Sequence, residues 1–123
     1  MNPVLVLVIE DDKWLAEQYK RLLDKAGYKT IISPSADKAI RLIDDNLPEI
    51  IVLDILLTGS TAFALLHELQ SYDDTCKIPI IICSSLVNDL NLGTLKDYGV
   101  KKVLDKTTMA PNDLVAAIKG VLQ

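Results

Sequence analysis

The sequence has no excess of basic residues and no long apolar run. Thirteen Lys and Arg stand against seventeen Asp and Glu in 123 residues, so the formal net charge is −4. Because a chain without a positive field does not hold nucleic acid, we predict no nucleic-acid binding by this chain alone. No apolar run approaches the roughly 20 residues that span a bilayer, so no membrane insertion is expected.

Cysteine is scarce, and the features of a signal peptide are missing. Cys76 and Cys83 match neither a metal-site spacing nor a disulfide framework, and Cys83 closes an apolar run like a small core residue. The N-terminal apolar run has no positive segment before it and leads straight into three acids. These features predict a reduced, cytoplasmic protein. The length and the half-apolar composition fit one globular domain over residues 1–123.

Apolar runs of strand length alternate with helical patterns along the chain. Strands are predicted at residues 4–9, 29–33, 50–54, 78–83 and 100–105. Ser35 is a predicted N-cap for the second helix, Gly27 a C-terminal cap for the first, and Pro111 a first-turn residue of the last. The fourth helix is predicted at residues 86–98, and Leu122 is expected on the inward face of the fifth.

Five strands that alternate with five helices predict the α/β class. Each right-handed crossover returns the chain to begin a new strand parallel to an earlier one, so a doubly wound, five-stranded parallel sheet is expected. The carboxyl ends of such strands meet at one edge, where ligands gather. The polar residues that follow these ends are Glu10, Asp11, Asp12, Asp54, Ser84, Ser85 and Lys106.

This set of residue types favours phosphoryl chemistry with a metal ion. Several neighbouring carboxylates repel one another unless a cation sits among them, and Mg²⁺ takes oxygen ligands of this kind. Asp54 is then placed to attack phosphorus and form an aspartyl phosphate. Lys106 and Ser84 can share the charge of the phosphoryl oxygens. Alternatively, Asp54 only opens a turn, as aspartate often does.

The motifs at these strand ends resemble those of the receiver domain of two-component response regulators, over essentially the whole chain. The motifs are Ile9-Glu10-Asp11-Asp12, Leu53-Asp54, Ile82-Cys83-Ser84-Ser85 and Leu104-Asp105-Lys106. The resemblance implies a flavodoxin-like (βα)5 receiver fold and a magnesium cofactor. In that family's terms, Asp54 is similar to the phosphoacceptor, Glu10 and Asp11 to the acidic metal-binding pair, and Leu56 to the residue that offers a backbone carbonyl to the metal. Ser84 is similar to the switch hydroxyl and Lys106 to the family's invariant lysine, whereas Asp12 is expected to cap the first helix.

The chain departs from the family pattern at several positions. Thr58 stands where a proline is common, Thr61-Ala62 replaces an Asp-Gly pair, and Thr107 replaces the proline after the lysine. Val103 replaces an aromatic residue that often reports the switch. The residues two places after Asp54 and Ser84 are both leucines, Leu56 and Leu86, which cannot position an attacking water. Slow self-dephosphorylation is therefore predicted.

The function predicted from these features is a phosphorylation switch and not a classical enzyme. Asp54 would accept a phosphoryl group from a sensor histidine kinase or phosphotransfer protein and shift the face of the fourth helix, fifth strand and fifth helix toward an output partner or effector domain. A phosphorylation-dependent dimer is compatible with the resemblance. The alternative is a receiver-like interaction module that acts without phosphorylation.

Other interpretations of the same residues remain open. The acidic run can be a solvated strand end, one of the two serines can cap the fourth helix, and Lys106 can be one exposed lysine among several. His67 is interpreted as a surface residue and Trp14 as packing near the site. A flavodoxin-like cofactor binder is disfavoured, because three acids after the first strand would repel a phosphate.

Overall fold

The computed structural model describes residues 3–54, 59–85 and 90–123, with only the backbone for residues 59–61. The strands are β1 (Leu5–Ile9), β2 (Lys29–Ser33), β3 (Ile50–Asp54), β4 (Ile80–Ser84) and β5 (Val100–Asp105). The helices are α1 (Lys13–Lys25), α2 (Ala36–Asn46), α3 (Gly59–Gln70), α4 (Leu92–Asp97) and α5 (Asp113–Leu122). Within these ranges, none of the helices combines the length and apolar character that crossing a membrane requires.

The strands form one sheet in the order β2-β1-β3-β4-β5. Every neighbouring pair is parallel, which confirms the predicted α/β class and the doubly wound sheet. The strand order reverses beside β1, since β2 lies on one side of it and the later strands lie on the other. The crevice beyond the carboxyl ends of β1 and β3 is where sheets of this type bind ligands.

Apolar clusters cover both faces of the sheet. Side chains of one face, among them Leu53 and Ile82, pack with the apolar sides of α2 and α3. Side chains of the other face, among them Val52 and Ile81, pack with α1 and α5. Neighbouring residues of a strand point to opposite faces, and both faces are covered. All residues of β3 and β4 are therefore buried.

Local capping determines where the first two helices begin. Asp12 Oδ1 accepts a hydrogen bond of 3.0 Å from the N–H of Leu15, and Ser35 Oγ accepts one of 3.2 Å from the N–H of Lys38. Gly27 follows the end of α1 with a φ of +96°, a conformation that favours glycine. All three predicted caps are confirmed.

The fourth strand begins two residues later than predicted and ends one residue later, at Ser84. The N–H of Ile78 donates to the carbonyl of Thr75 over 3.1 Å, so it belongs to the preceding turn. Pro79 has no N–H to contribute to a strand ladder. The strand therefore begins at Ile80, and Pro79 takes part only through its carbonyl, which accepts from the N–H of Ile51 over 3.0 Å.

The fourth helix is shorter than the prediction of residues 86–98. It begins at Leu92, because Asn91 is extended and its Oδ1 accepts a hydrogen bond of 3.1 Å from the N–H of Thr94. An asparagine at the N-cap position is itself not helical, so the helix begins at the residue after it. Residues 86–89 of the predicted helix lie outside the described residues.

The last helix begins at Asp113, so the placement of Pro111 in its first turn was wrong. The N–H of Asp113 donates to the carbonyl of Ala110 over 3.0 Å, and Asp113 Oδ2 accepts from the N–H of Ala110 over 2.7 Å. These two bonds close a turn in which Pro111 takes the second position, which suits its restricted φ. At the other end of α5, Leu122 is exposed, contrary to its predicted inward position.

Candidate functional site

Four strand ends bring predicted site residues to one edge of the sheet. Asp54 ends β3 and Ser84 ends β4, whereas Glu10 and Lys106 directly follow β1 and β5. The N–H of Glu10 donates to the carbonyl of Ser33 over 3.0 Å, and the N–H of Lys106 donates to the carbonyl of Ser84 over 2.9 Å. Because these bonds extend the sheet by one residue, the backbone fixes where both side chains start.

The ammonium group of Lys106 bridges two buried carboxylates. Lys106 Nζ lies 2.7 Å from Glu10 Oε1 and 2.7 Å from Asp54 Oδ2. The side chains of Glu10 and Asp54 are only 2% and 7% exposed, and that of Lys106 is 17% exposed. One positive charge thus faces two carboxylates in a setting where water screens little.

The protonation equilibria of this group reflect its burial. Burial raises the pKa of Glu10 to about 7, although the hydrogen bond from Lys106 opposes the rise and the nearby Asp54 adds to it. Burial by itself would lower the pKa of Lys106. Its hydrogen bonds with Asp54 and Glu10 outweigh that effect, and the pKa of Lys106 is raised. The lysine therefore stays charged beside the two acids.

A third carboxylate completes an acidic cluster. Carboxylate oxygens of Glu10, Asp11 and Asp54 all lie within 4.8 Å of one another, and Asp11 is exposed while the other two residues are buried. Three carboxylates with one ammonium leave negative charge uncompensated. Hard divalent cations prefer oxygen ligands of this kind, so the donor chemistry fits Mg²⁺.

The remaining predicted site residues are only partly described. Ser84 is fully buried at the end of β4, and the neighbouring Ser85 is exposed. Leu56, the predicted carbonyl ligand, lies outside the described residues, as do Thr58 and Leu86. Their roles stay predictions.

The segment after Lys106 is held by a contact that sequence analysis missed. Asp105 Oδ1 accepts hydrogen bonds from the N–H and the hydroxyl of Thr107, over 2.9 and 2.6 Å. These bonds lower the pKa of Asp105. Aspartate side chains often accept a hydrogen bond from the N–H two residues further along the chain, and this tendency could have predicted the turn. Within the described residues no peptide bond is cis, so the bond between Lys106 and Thr107 is trans.

A thiol and a phenol pack next to the site on one face of the sheet. Cys83 is buried in β4, as predicted for a small core residue, and burial raises the pKa of its thiol to about 12. Tyr19 of α1 is buried in the same apolar cluster, and burial also raises the pKa of its phenol. Both groups therefore remain neutral near the acidic site at ordinary pH.

Two further predictions concern residues outside the site. Trp14 is 70% exposed, so the expectation that it packs near the site was wrong in that respect. Trp14 does line an open groove of about 270 Å³ that Tyr19, Lys106 and Met109 line as well. His67 is exposed, as predicted, and its ring makes a T-shaped contact with the ring of Tyr98, with 6.1 Å between the ring centroids.

The strand order and the acid-lysine group at the crevice define a doubly wound α/β domain with a charged site at its topological switch point. The family model described as the response regulator receiver domain matches residues 6–119. The chain belongs to this family, as the motifs at the strand ends indicated.

Individual relatives agree with this assignment. The chain is 30% identical over 124 residues to the transcriptional regulatory protein YvrH of Bacillus subtilis, covering 100% of this chain and 51% of the relative. It is 28% identical over 118 residues to the phosphate regulon transcriptional regulatory protein PhoB of Pseudomonas aeruginosa, covering 96% of this chain and 51% of the relative. The chain thus spans about half the length of these relatives. A crystal structure of a receiver domain protein from Methanospirillum hungatei superposes with a TM-score of 0.86 at 21% identity, covering 98% of this chain and 94% of that chain.

Proposed function

We propose that this domain is a phosphorylation switch of a two-component phosphorelay, with Asp54 as the phosphoacceptor. The observation that carries the proposal is the ammonium group of Lys106, which is held 2.7 Å from the Asp54 carboxylate at the carboxyl edge of the sheet. Membership in the receiver family supports the same role for Asp54. The buried setting favours a specialised use of these charges over a solvated turn.

In the proposed transfer, a carboxylate oxygen of Asp54 attacks the phosphorus of a phosphohistidine on a kinase or phosphotransfer protein. The new O–P bond forms as the N–P bond breaks, and the electron pair of that bond returns to the imidazole nitrogen. Lys106 already lies beside the carboxylate that reacts. Its positive charge can therefore offset the charge of the arriving phosphoryl oxygens with little reorganisation.

The proposed metal ligands are Glu10, Asp11 and Asp54, with the backbone carbonyl of Leu56 added by family resemblance. Bound Mg²⁺ would supply positive charge to the phosphoryl oxygens. The cluster of three carboxylate groups supports this part of the proposal, because the one ammonium of Lys106 cannot neutralise them all. Asp11, the exposed member, lies on the solvent side of this group.

Ser84 is the proposed switch hydroxyl. It is buried at the end of β4, and the segment that follows it leads to the short helix α4. A rotation of this side chain toward a phosphoryl group would bias a pre-existing equilibrium between two conformations of the domain. By family resemblance, the proposed output face is made by α4, β5 and α5.

The proposed partners follow from the same reasoning. A histidine kinase or phosphotransfer protein supplies the phosphoryl group in the cytoplasm, and an effector domain or a separate output partner receives the signal. The relatives named above are transcriptional regulatory proteins about twice as long as this chain. The net charge of −4 argues that any contact with DNA would be made elsewhere than on this domain. A phosphorylation-dependent dimer is a further expectation.

Intact mass after incubation with acetyl phosphate tests the proposal. We expect the wild type to gain one phosphoryl group with Mg²⁺ and none with EDTA, and the folded variant Asp54→Asn to gain none. Asp45→Asn, a change of the same charge on the exposed side of α2, serves as the matched control and should be labelled like the wild type. Absence of labelling in the folded wild type would favour a receiver-like module that acts without phosphorylation.

A further inference from the structure

A second groove lies near the end of the sheet where the strands start, whereas Asp54 lies at the end where they finish. It has a volume of about 260 Å³ and runs between the C-terminal ends of α2 and α3 and the turn that follows α3. Its lining residues are Ile40, Ile43, Asp44, Glu68, Leu69, Tyr72, Asp74 and Thr75. Because α2 and α3 run back from the carboxyl edge, their C-terminal ends lie near the strand starts, away from the phosphoacceptor.

The inner wall of this groove is apolar. Ile43 and Leu69 are buried members of the core cluster on this face, and Ile40 packs against that cluster. Tyr72 lines the groove from the turn and is 59% exposed. An exposed tyrosine beside an apolar wall is the kind of anchor that protein interfaces use.

The rim of the groove is negative. Asp44, Glu68 and Asp74 line it, and within the described ranges none of the ion pairs involves these carboxylates. The C-terminal ends of two helices add partial negative charge at the same place. The last turn of α2 carries both Asp44 and Asp45, an arrangement that the helix dipole disfavours.

The turn that forms one wall is held rigidly. The buried hydroxyl of Thr75 donates to the carbonyl of Leu69 over 2.6 Å. The N–H groups of Thr75 and Cys76 both donate to the carbonyl of Tyr72, over 3.3 and 2.9 Å. A wall fixed in this way requires little ordering when a ligand binds.

We propose that this α2–α3 groove binds a basic amphipathic segment of a partner protein. An apolar side chain of the segment would lie against Ile40, Leu69 and Tyr72, and a Lys or Arg beside it would face the acidic rim. A groove of this volume suits one or two anchoring side chains. A second copy of this chain related by a two-fold axis would bring acid against acid, so it is a poor occupant.

The inference does not rest on the proposed phosphorylation of Asp54. Groove and phosphoacceptor lie at opposite edges of the sheet, so a bound segment would leave Asp54 open to a kinase. We expect the affinity for such a segment to be the same for the wild type and Asp54→Asn. Failure of the groove inference is thus separate from failure of the phosphorylation proposal.

The test begins with a library of random phage-displayed dodecapeptides selected on the wild-type protein. We expect the enriched peptides to combine Lys or Arg with apolar residues, and their Kd to be measured by fluorescence anisotropy. The groove variant Asp44→Asn, Glu68→Gln, Asp74→Asn should bind them at least about tenfold more weakly, since three rim charges are lost together. Tyr72→Ala should weaken binding as well.

The matched control is the variant Asp45→Asn, Asp73→Asn, Glu17→Gln. It also removes three negative charges, but at exposed positions that do not line the groove. We expect it to bind like the wild type. Equal weakening in both triple variants would reveal non-specific attraction and overturn the inference. Failure to enrich basic peptides, or wild-type self-association that only the groove variant abolishes, would overturn it too. Thermal unfolding should find the groove variant at least as stable as the wild type, because unfavourable charges are removed from helix ends.

Discussion

Two lysines of this chain form ion pairs of nearly equal length in opposite surroundings. Lys20 Nζ lies 2.8 Å from Asp24 Oδ2 on the surface of α1, where both side chains are at least 40% exposed. Lys106 Nζ lies 2.7 Å from Glu10 and from Asp54, which are almost fully buried. The distances alone do not distinguish a surface contact from the centre of a site.

Burial is what separates the two pairs. Water screens the pair of Lys20 and Asp24, so the contribution of that pair to the free energy of unfolding should be a few tenths of a kcal/mol. At the crevice, burial instead raises the pKa of Glu10 to about 7, and each charge there depends on its neighbour. Removing one charge should therefore have a small effect in the first pair and a large one in the second.

The largest expected effect is that of Lys106→Met. Without the ammonium, Asp54 loses the cation beside it and Glu10, whose pKa is already raised, must take up a proton, and breaking a buried ion pair in this way costs about 3 kcal/mol. Urea denaturation in EDTA at neutral pH measures the loss. Lys20→Met is the matched control and should lose less than about 0.5 kcal/mol. Equal losses would mean that burial does not separate the two pairs.

Mg²⁺ should stabilise the folded wild type by an amount that depends on the affinity of the site for Mg²⁺. At a free concentration twenty times its Kd, a ligand that binds only the folded state adds about 1.8 kcal/mol to the free energy of unfolding. Asp11→Asn should lose most of this gain, because it removes the exposed ligand of the cluster while leaving the buried pair intact. Asp12→Asn should keep the gain, since asparagine also caps helices.

Denaturation with Mg²⁺ and with Na⁺ at equal ionic strength measures that gain. A stabilisation of Asp11→Asn equal to that of the wild type would contradict the proposed ligand set. It would also weaken the contrast between the crevice and the surface pair, because the crevice would then behave as an ordinary ion pair.

The two cysteines extend the same contrast to alkaline pH. Burial raises the pKa of Cys83 from 9.0 to about 12, so the folded protein keeps a proton that the unfolded chain loses. The stabilising contribution is complete below pH 9 and is lost as the pH rises toward 12. Between pH 8 and pH 10, the wild type should lose on the order of 1 kcal/mol more than Cys83→Ala.

Urea denaturation at the two pH values tests this expectation, and titrating groups that do not interact with Cys83 cancel in the comparison between variants. Cys76→Ala is the control, because Cys76 is only half-buried in the turn after α3. It should keep the full loss of the wild type. Identical pH profiles for the wild type and Cys83→Ala would refute the burial argument for this thiol.

Much of the fold was predictable because its signals are local. The continuous apolar runs of β3 and β4 indicate strands that are buried on both faces. The N-caps Asp12 and Ser35 each bond to a backbone N–H three residues away. The errors have a different origin. Asn91 and Pro111 are compatible with either a helix or the turn before it, and hydrogen bonds between side chains and backbone at the helix starts decided between them.

The site was predictable as a set of residues but not as a geometry. Parallel topology places Glu10, Asp54 and Lys106 at one edge, which is enough to expect that they meet. That Lys106 contacts both carboxylates at once depends on where the sheet ladder stops at β1 and β5. The hydrogen bond that the Asp105 side chain accepts from Thr107 was overlooked, although the two-residue spacing is that of an Asx turn.

The smallest expected effect tests whether adjacent acids have separate tasks. Asp12 Oδ1 caps α1 through the N–H of Leu15, so Asp12→Ala should lower the free energy of unfolding by about 1 kcal/mol, with or without Mg²⁺. Asp11→Ala in EDTA should cost less than about 0.5 kcal/mol, since an exposed side chain with no cap is removed. Urea denaturation of the two variants in EDTA gives both values. Suppose that Asp11→Ala lowered the free energy of unfolding in EDTA as much as Asp12→Ala does. Asp11 would then stabilise the fold without metal, and its exposure would no longer support a role limited to binding the cation.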